Sequence, residues 1–238
     1  MMHPRLLLLP IIMASLQRLT AAVNATTADS DCPPATCGNL TITYPFSPAF
    51  QLTCDSAASG AFLGVSSYMR VLDIDYGNRS LVAVHVLVAA DAACTVIFNV
   101  SSAFAISDRF RISANNRELY VLSKCRGTPS PPPPGAVPVT NCSSNNSSGT
   151  FVYLGGGYGT GQPPANDRGC ELAMFPVLGS EAEGATADSY RRLIRAGFRL
   201  EWEPVGDCDA CRASGGQCRY DGNTAAFACL CSGGDMRQ

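Results

Sequence analysis

The chain has 238 residues, of which 46% are hydrophobic and only 15% charged, and its formal net charge at pH 7 is −2. This acidic balance argues against binding to nucleic acid through a general basic field. Twelve cysteines beside only two histidines are typical of an oxidised protein held by disulfides, and they argue against a zinc protein. We therefore expect no metal and no cofactor.

The first 25 residues have the pattern of a secretory signal peptide. Arg5 gives a positive start, residues 6–13 form a short apolar segment, and small residues follow at Ala21, Ala22 and Ala25. The apolar run is too short to span a membrane, and no later run is long enough. We expect a secreted, extracellular protein.

Asn-x-Ser/Thr sequons stand at seven positions, six of them behind this segment. A single sequon is weak evidence, but this number in a secreted chain makes glycosylation an expected feature. We expect attached glycans at Asn39, Asn78, Asn99, Asn141 and Asn145.

Residues 26–126 read as a β-rich domain of short strands. Leu40, Ile42 and Tyr44 alternate with polar residues, which predicts a half-buried strand that Pro45 ends.

Two hairpins are expected further along this domain. Residues 68–76 alternate, with Met69, Val71, Asp73 and Asp75 on one face, and Gly77-Asn78 predicts a turn into a strand at 81–88. Residues 94–100 form another β-branched run. Segments 110–113 and 118–122 flank Asn115-Asn116, which predicts a second turn.

Residues 127–148 are rich in Pro, Ser and Asn and predict a stiff linker. In the C-terminal domain, 149–238, we expect strands at 151–154, at 171–178 with a break at Pro176, and at 198–202. Residues 186–196 predict the one helix, with Asp188 or Thr186 as its cap and Gly197 as its end. The predicted fold is mainly β and disulfide-rich, with two small cysteine-rich modules.

All twelve cysteines are expected in disulfides: Cys32, Cys37, Cys54, Cys94, Cys125, Cys142, Cys170, Cys208, Cys211, Cys218, Cys229 and Cys231. Five of them precede the proline-rich part of the linker, 128–138, and seven follow it. At least one bridge therefore crosses the linker, or one thiol stays free.

Catalysis is not supported by the residues that could perform it. His85 is the single histidine behind the signal segment, and it lies in an apolar run. Asp73 and Asp75 have the spacing of a carboxylate pair, but a solvated strand face explains them better. We expect a binding protein and no enzyme.

Two ordered sets of motifs stand near the two ends of the chain. The first set is Cys37-Gly38, Ile42, Tyr44-Pro45-Phe46 and Phe50-x-Leu52-x-Cys54. It is similar to the galacturonan-binding domain in the extracellular region of plant wall-associated receptor kinases. A Cys-Gly that many members carry between Phe46 and Phe50 is missing here. The second set, from Gly197 through Trp202 to Cys231, resembles the C-terminal cysteine-rich module and ends in a cluster spaced like an epidermal-growth-factor module. This resemblance implies the disulfides Cys208–Cys218 and Cys211–Cys229. Cys231 would then pair with an earlier cysteine, Cys170 or Cys142.

The resemblance also implies binding of pectin, a polymer of galacturonic acid, in the plant cell wall. The most basic window, 109–126, offers Arg109, Arg111, Arg117, Lys124 and Arg126. We expect Arg109, Arg111 and Arg117 to bind carboxylates, with Tyr120 on a facing strand and Tyr44 at the Tyr-Pro-Phe corner. A solvated strand edge explains the arginines equally well, and Arg191, Arg192 and Arg195 are the next candidates. The alternatives are a protein-interaction module that binds receptor proteins, as a decoy or co-receptor, and a truncated receptor ectodomain without its membrane helix and kinase.

Overall fold

The fold consists of short strands rich in β-branched and aromatic residues, as the pattern of the sequence predicts. It is seen in a computed structural model, which divides the chain into the units Met1–Ser30 and Asp31–Gln238. All described residues belong to the second unit: 35–43, 45–46, 52–55, 60–63, 68–91, 109–126, 132, 134–140, 149–167, 169–204, 206–221, 226–230 and 236–237.

Strands dominate the described residues, which confirms a mainly β, disulfide-rich fold. The strands are β1 (Ala35–Cys37), β2 (Leu40–Ile42), β3 (Leu52–Asp55), β4 (Gly60–Leu63), β5 (Met69–Asp75), β6 (Ser80–His85), β7 (Phe110–Ile112), β8 (Asn116–Ser123), β9 (Ala136–Pro138), β10 (Phe151–Gly157), β11 (Glu171–Leu178), β12 (Phe198–Trp202), β13 (Gln217–Asp221), β14 (Ala226–Leu230) and β15 (Met236–Arg237). The helices are α1 (Val86–Asp91), α2 (Gly179–Ala182), α3 (Tyr190–Ala196) and α4 (Cys208–Ala213), with a 3-10 turn at Ala187–Ser189. No helix in these ranges is long and apolar enough to span a membrane.

The larger sheet has six antiparallel strands in the order β3-β4-β5-β6-β12-β7. Its inner face carries alternate apolar residues that pack into one core, with Leu81, Leu200 and Trp202 almost fully buried. The β1–β2 hairpin adds Leu40 and Ile42 to this core, and the Cys37–Cys54 bridge ties it to β3.

The second sheet has four antiparallel strands in the order β11-β8-β10-β9. Leu119 and Val121 of β8 lie at its centre and are fully buried. Helix α3 covers this core with the apolar stripe that the sequence predicts, Leu193 and Ile194 beside Tyr190. A third, three-stranded sheet, β13-β14-β15, belongs to the C-terminal cysteine cluster.

Both larger sheets combine strands from the two sides of residues 127–148. Strand β8 pairs with β10 and β11, which follow that segment, and β12 lies between β6 and β7, which precede it. The Cys125–Cys170 disulfide also joins the two sides. The cysteine count allowed such a crossing bridge, and the structure contains it.

The hairpin of β5 and β6 is confirmed, but the predicted face of β5 is wrong. The register between the strands shifts between Val71 and Asp73, so Leu72 is an additional residue in β5. Such a bulge reverses the alternation that follows it. Ile74 therefore joins Met69 and Val71 in the core, and Asp73 is exposed.

The strand predicted at 81–88 is too long. Strand β6 ends at His85, and Val86–Asp91 is the helix α1, in a region where we expected no helix. Residues 94–100 lie outside the described part of the chain.

The predicted hairpin of 110–113 with 118–122 is also wrong. Strand β7 pairs with β12, whereas β8 belongs to the other sheet. The buried amide of Asn116 explains the change of direction, because its Nδ2 donates to the carbonyls of Ser113 and Arg199, both at 2.8 Å. The N–H of Arg199 donates back to Asn116 Oδ1, also at 2.8 Å. These bonds direct the chain from one sheet to the other.

Pro176 does not break β11, which runs unbroken over Glu171–Leu178. This strand is at the edge of its sheet, where a missing N–H costs little. The predicted helix is confirmed as the 3-10 turn followed by α3, and Gly197 ends it at a φ of 80°. The predicted side-chain caps are not formed. Thr186 is at the N-cap position of the 3-10 turn, but its side chain makes no capping hydrogen bond, and Asp188 lies inside that turn.

Candidate functional site

The predicted carboxylate-binding residue Arg111 is already paired with acids of the chain itself. Its Nε and Nη2 donate to Glu201 Oε2 at 2.9 and 2.8 Å, and Glu203 lies 3.7 Å from its Nη1. The hydroxyl of Ser113 also donates to Glu201, at 2.5 Å. The Ser113 hydroxyl and the Arg111 guanidinium hold the pKa of Glu201 below its usual value. Arg109 is half-buried, and its carbonyl accepts the Glu203 N–H at 3.0 Å.

Arg117 is bound to backbone carbonyls. Its Nε and Nη2 donate to the Gly155 carbonyl at 3.0 and 2.5 Å, and its Nη1 donates to the Ala182 carbonyl at 3.0 Å. Arg117 therefore fastens β10 and α2 to β8. Three of the five N–H donors of its guanidinium are thus bound to the chain itself, which leaves less of it for a ligand.

Tyr120 is buried, with 6% of its surface exposed, and its hydroxyl donates to Glu118 Oε2 at 2.7 Å. Burial, followed by the bond to Glu118, raises the pKa of Tyr120 to about 12. Because β7 and β8 are in different sheets, Tyr120 does not face Arg109 or Arg111. Tyr44 lies outside the described residues.

Most other cations near these positions are also engaged. Lys124 pairs with Glu171 at 2.9 Å. On α3, Arg191 donates to the Thr140 carbonyl, Arg192 pairs with Glu181, and Arg195 donates to the Ala89 carbonyl.

A groove elsewhere on the chain contains two cations that make no side-chain hydrogen bond or ion pair with a described residue. It has a volume of about 820 Å³ and is called the Arg79–Arg212 groove here. The residues that line it are Pro45, Tyr76, Gly77, Arg79, Trp202, Pro204, Gly206, Asp207, Cys208, Asp209 and Arg212.

Aromatic rings held in fixed positions form one part of this groove. Trp202, at the end of β12, packs edge-to-face against Phe46, with ring centroids 4.7 Å apart, and against Tyr76 at 6.2 Å. The Tyr76 hydroxyl accepts the Thr43 N–H at 2.8 Å and donates to the Thr41 carbonyl at 3.0 Å. The half-buried Tyr76 ring is thus fixed where a ligand could stack on it.

Arg79 ends the four-residue turn between β5 and β6. Its φ of 49° is in the left-handed region, which favours glycine, and its carbonyl accepts the Trp202 N–H at 3.0 Å. The side chain is exposed and makes no hydrogen bond or ion pair with any described residue. A non-glycine residue in this strained conformation is typical of functional positions.

Arg212 comes from α4, which two disulfides hold to the C-terminal sheet, Cys208–Cys218 and Cys211–Cys229. Asp207 caps this helix, since its Oδ1 accepts the Ala210 N–H at 2.9 Å. The exposed Arg212 side chain likewise has no hydrogen-bonding or ionic partner within the described ranges. Two rigid elements therefore present the two guanidinium groups.

The groove combines two cations, two carboxylates and two aromatic rings. This combination suits recognition of a polar ligand with both acids and hydroxyls. Among the described residues, no group of three or more His, Cys, Asp or Glu side chains is placed to hold a metal ion. Sequence reasoning missed the groove because Arg79 and Arg212 are far apart in the chain. The signals that could have suggested it are an arginine at the end of a hairpin turn and another beside a cysteine of the C-terminal cluster.

The residues considered for catalysis have structural contacts. The His85 ring stacks on Tyr68, with centroids 5.8 Å apart, and its Nδ1 accepts the Val88 N–H at 3.5 Å. It also lines a small apolar cavity of about 20 Å³. Asp75 accepts two hydrogen bonds from Asn78, and these bonds are the main cause of the lowered pKa of the Asp75 carboxyl.

Four disulfides are formed by the described cysteines, and the two pairs implied for the C-terminal cluster, Cys208–Cys218 and Cys211–Cys229, are confirmed. Cys170 pairs with Cys125, so the suggestion that Cys231 binds Cys170 is wrong. Cys32, Cys94, Cys142 and Cys231 lie outside the described residues.

Two of the expected glycosylation sites are described. Asn39 lies in the β1–β2 turn and Asn78 in the β5–β6 turn, and both are exposed. Asn99, Asn141 and Asn145 lie outside the described residues. Glycosylation at all five stays a prediction.

Comparisons with known proteins agree with the C-terminal part of the resemblance. Residues 141–234 match the family described as wall-associated receptor kinase C-terminal. This match includes α3, β12, both bridges of the cysteine cluster and the Trp202–Arg212 side of the groove. Neither the curated proteins nor the solved structures gave a match. Residues 141–234 are therefore similar to the C-terminal extracellular region of wall-associated receptor kinases.

Proposed function

We propose that the protein is an extracellular binding protein of the plant cell wall that holds pectic oligogalacturonides in the Arg79–Arg212 groove. It acts by binding and performs no catalysis. The observation that supports this proposal is that one groove is lined by two guanidinium groups without a hydrogen-bonding or ionic partner among the described residues.

Unpartnered cations are uncommon in the described part of the chain. The side chains of Arg70, Arg79, Arg126 and Arg212 make no hydrogen bond or ion pair with a described residue. Two of these four line the same groove. A guanidinium that is not neutralised by the protein can form a bidentate pair with a carboxylate of a ligand.

The acids of the groove favour a sugar over a simple polyanion. Asp207 and Asp209 repel carboxylates that approach them, but they accept hydrogen bonds from hydroxyls. An oligogalacturonide has a carboxylate and hydroxyls on each unit, so it can satisfy both signs of charge. The Tyr76 ring offers an apolar face against which a sugar ring can pack.

The test is calorimetry of the secreted protein with oligogalacturonides, at low and at physiological salt. We expect binding that weakens as salt rises, because the contacts are between charges in an open groove. The Arg79→Ala/Arg212→Ala variant should bind at least about ten times more weakly, since each ten-fold loss is only about 1.4 kcal/mol. The matched control is Arg70→Ala/Arg126→Ala, which removes the same charge outside the groove and should bind normally.

Two further samples decide what a negative result means. Polyglutamate, an anion without sugar hydroxyls, should bind far more weakly than the oligogalacturonide if the groove recognises sugars. The Arg109→Ala/Arg111→Ala variant tests the basic window. If this variant loses binding and the groove variant binds normally, the ligand site lies in the basic window and not in the groove. Absence of binding at both salt concentrations would refute the polysaccharide function.

A second candidate function is protein recognition, as in a decoy or co-receptor. It is favoured by Tyr68, which stacks on His85, and by Leu87, two residues after His85, since these side chains are 49% and 57% exposed. Large apolar side chains of this kind supply affinity at protein interfaces. Such binding would be insensitive to salt and would be lost in Tyr68→Ser/Leu87→Ser, while the groove variant would retain it.

A further inference from the structure

We infer that an N-glycan on Asn78 controls access to the Arg79–Arg212 groove. This inference rests on the proposed function, since the groove is taken as the ligand site. Asn78 is the acceptor residue of the sequon Asn78-Arg79-Ser80. It lies between two residues that line the groove, Gly77 and Arg79.

The position of Asn78 makes the glycan a neighbour of the ligand. Asn78 is exposed in the β5–β6 turn, so the folded protein has room for a glycan there. The unpartnered Arg79 is the next residue, and its backbone is fixed by the bond from the Trp202 N–H. A branched glycan on Asn78 therefore occupies solvent beside the Arg79 guanidinium, where a uronate chain would have to enter.

Asn78, the residue that would carry the glycan, is itself hydrogen-bonded within its turn. Asn78 Nδ2 donates to Asp75 Oδ2 at 2.7 Å, and the Asn78 N–H donates to Asp75 Oδ1 at 3.0 Å. A glycosylated Nδ2 keeps one hydrogen, so the bond to Asp75 remains possible after glycosylation. A glycan on Asn78 is therefore compatible with this turn.

The other described sequon provides an internal comparison. Asn39 is also exposed in a two-residue turn, between β1 and β2, but its sequence neighbours, unlike those of Asn78, do not line the groove. A glycan there should have no effect on Arg79. The two sites therefore separate the effect of the position from a general effect of glycosylation.

The experiment has two independent readouts on protein secreted from a eukaryotic host. The first is the rate at which phenylglyoxal modifies Arg79, measured by mass spectrometry, with Arg70 as an exposed reference outside the groove. The second is calorimetry with oligogalacturonides. The samples are the unchanged protein, the same protein deglycosylated by an endoglycosidase that leaves only the first sugar on each asparagine, Asn78→Gln and Asn39→Gln.

We expect Arg79 to react at least about three times faster in Asn78→Gln and in the deglycosylated protein, with Arg70 unchanged. Oligogalacturonide affinity should rise by at least the same factor, and Asn39→Gln should equal the unchanged protein. The deglycosylated sample guards against an effect of the lost Asp75 bond in Asn78→Gln.

The outcomes distinguish this inference from the proposed function. An unoccupied Asn78, or equal Arg79 reactivity with and without a glycan at full occupancy, overturns the control of access and leaves sugar binding intact. Faster Arg79 modification without any oligogalacturonide binding supports the glycan as a cover of the groove but refutes the proposed ligand.

Discussion

The basic window at 109–126 and the Arg79–Arg212 groove contain the same kind of side chain in opposite situations. Arg111 and Arg117 bind acids and carbonyls of the chain itself, at 2.5–3.0 Å in their closest contacts. Arg79 and Arg212 bind no described residue. A local excess of arginine in a sequence therefore does not show where a protein has charge available for a ligand.

The difference follows from the elements that carry the residues. The window lies where the chain passes from one large sheet to the other, so acids and carbonyls surround its cations. Arg79 is at the end of a turn and Arg212 on a short helix held by disulfides, where fewer acceptors are close. We therefore expect the arginines of the window to stabilise the fold and the arginines of the groove to bind a ligand.

The strongest test of this contrast is Arg117→Ala. It removes three hydrogen bonds and leaves the Gly155 and Ala182 carbonyls without this partner. We expect the free energy of unfolding to fall by about 2–4 kcal/mol, since charged hydrogen bonds and unpaired buried acceptors each contribute one to a few kcal/mol. Chemical denaturation measures the change. Arg126→Ala, an exposed cation of the same window without a partner, should change stability by less than about 0.5 kcal/mol. An equal loss of unfolding free energy in both variants would contradict the idea that the bound arginines of the window stabilise the fold.

A smaller effect is expected in acid, through Glu201. The Ser113 hydroxyl and Arg111 lower the pKa of Glu201 in the folded protein relative to the unfolded chain. The stabilisation is therefore fully present above about pH 4.5 and is lost as the pH falls through the lower pKa of the folded protein. Denaturation between pH 3 and 6 should show a shallower pH dependence in Glu201→Gln. The same slope in both proteins would mean that Glu201 is not the group that titrates.

The smallest effect has the opposite sign and concerns Arg79→Gly. Glycine adopts the left-handed conformation without steric cost, so this change should raise the free energy of unfolding by about 0.5 kcal/mol. The same variant should weaken oligogalacturonide binding, because the guanidinium is lost. Lys124→Gly is the matched control, since Lys124 has a φ of 48° but lies outside the groove. Its binding should be unchanged. A variant of Arg79 that is more stable and binds normally would exclude Arg79 from the site.

Local patterns in the sequence predicted the local elements well. Gly77-Asn78 between alternating segments was enough to predict the β5–β6 hairpin, and the apolar stripe of Leu193 and Ile194 was enough to predict α3. The bulge at Leu72 could not be predicted, because an additional apolar residue looks like any other strand residue.

Long-range pairing could not be predicted from such patterns. Asn115-Asn116 suits a hairpin turn, but bonds from Asn116 to Ser113 and to Arg199, a distant residue, decide the direction of the chain. The groove depends in the same way on a turn and a helix that the fold brings together. The C-terminal disulfide pairs were available in advance only through the resemblance to a known family.

The position of β12 has a consequence for how the protein is made. Strands β6 and β7 leave the ribosome long before β12, which must enter between them to complete the six-stranded sheet. Until then their edges present unpaired N–H and C=O groups that can pair with another chain. Contacts so distant in sequence also slow folding. We therefore expect the unpaired edges of β6 and β7 to persist until β12 is made, and a polypeptide released before Phe198 should aggregate.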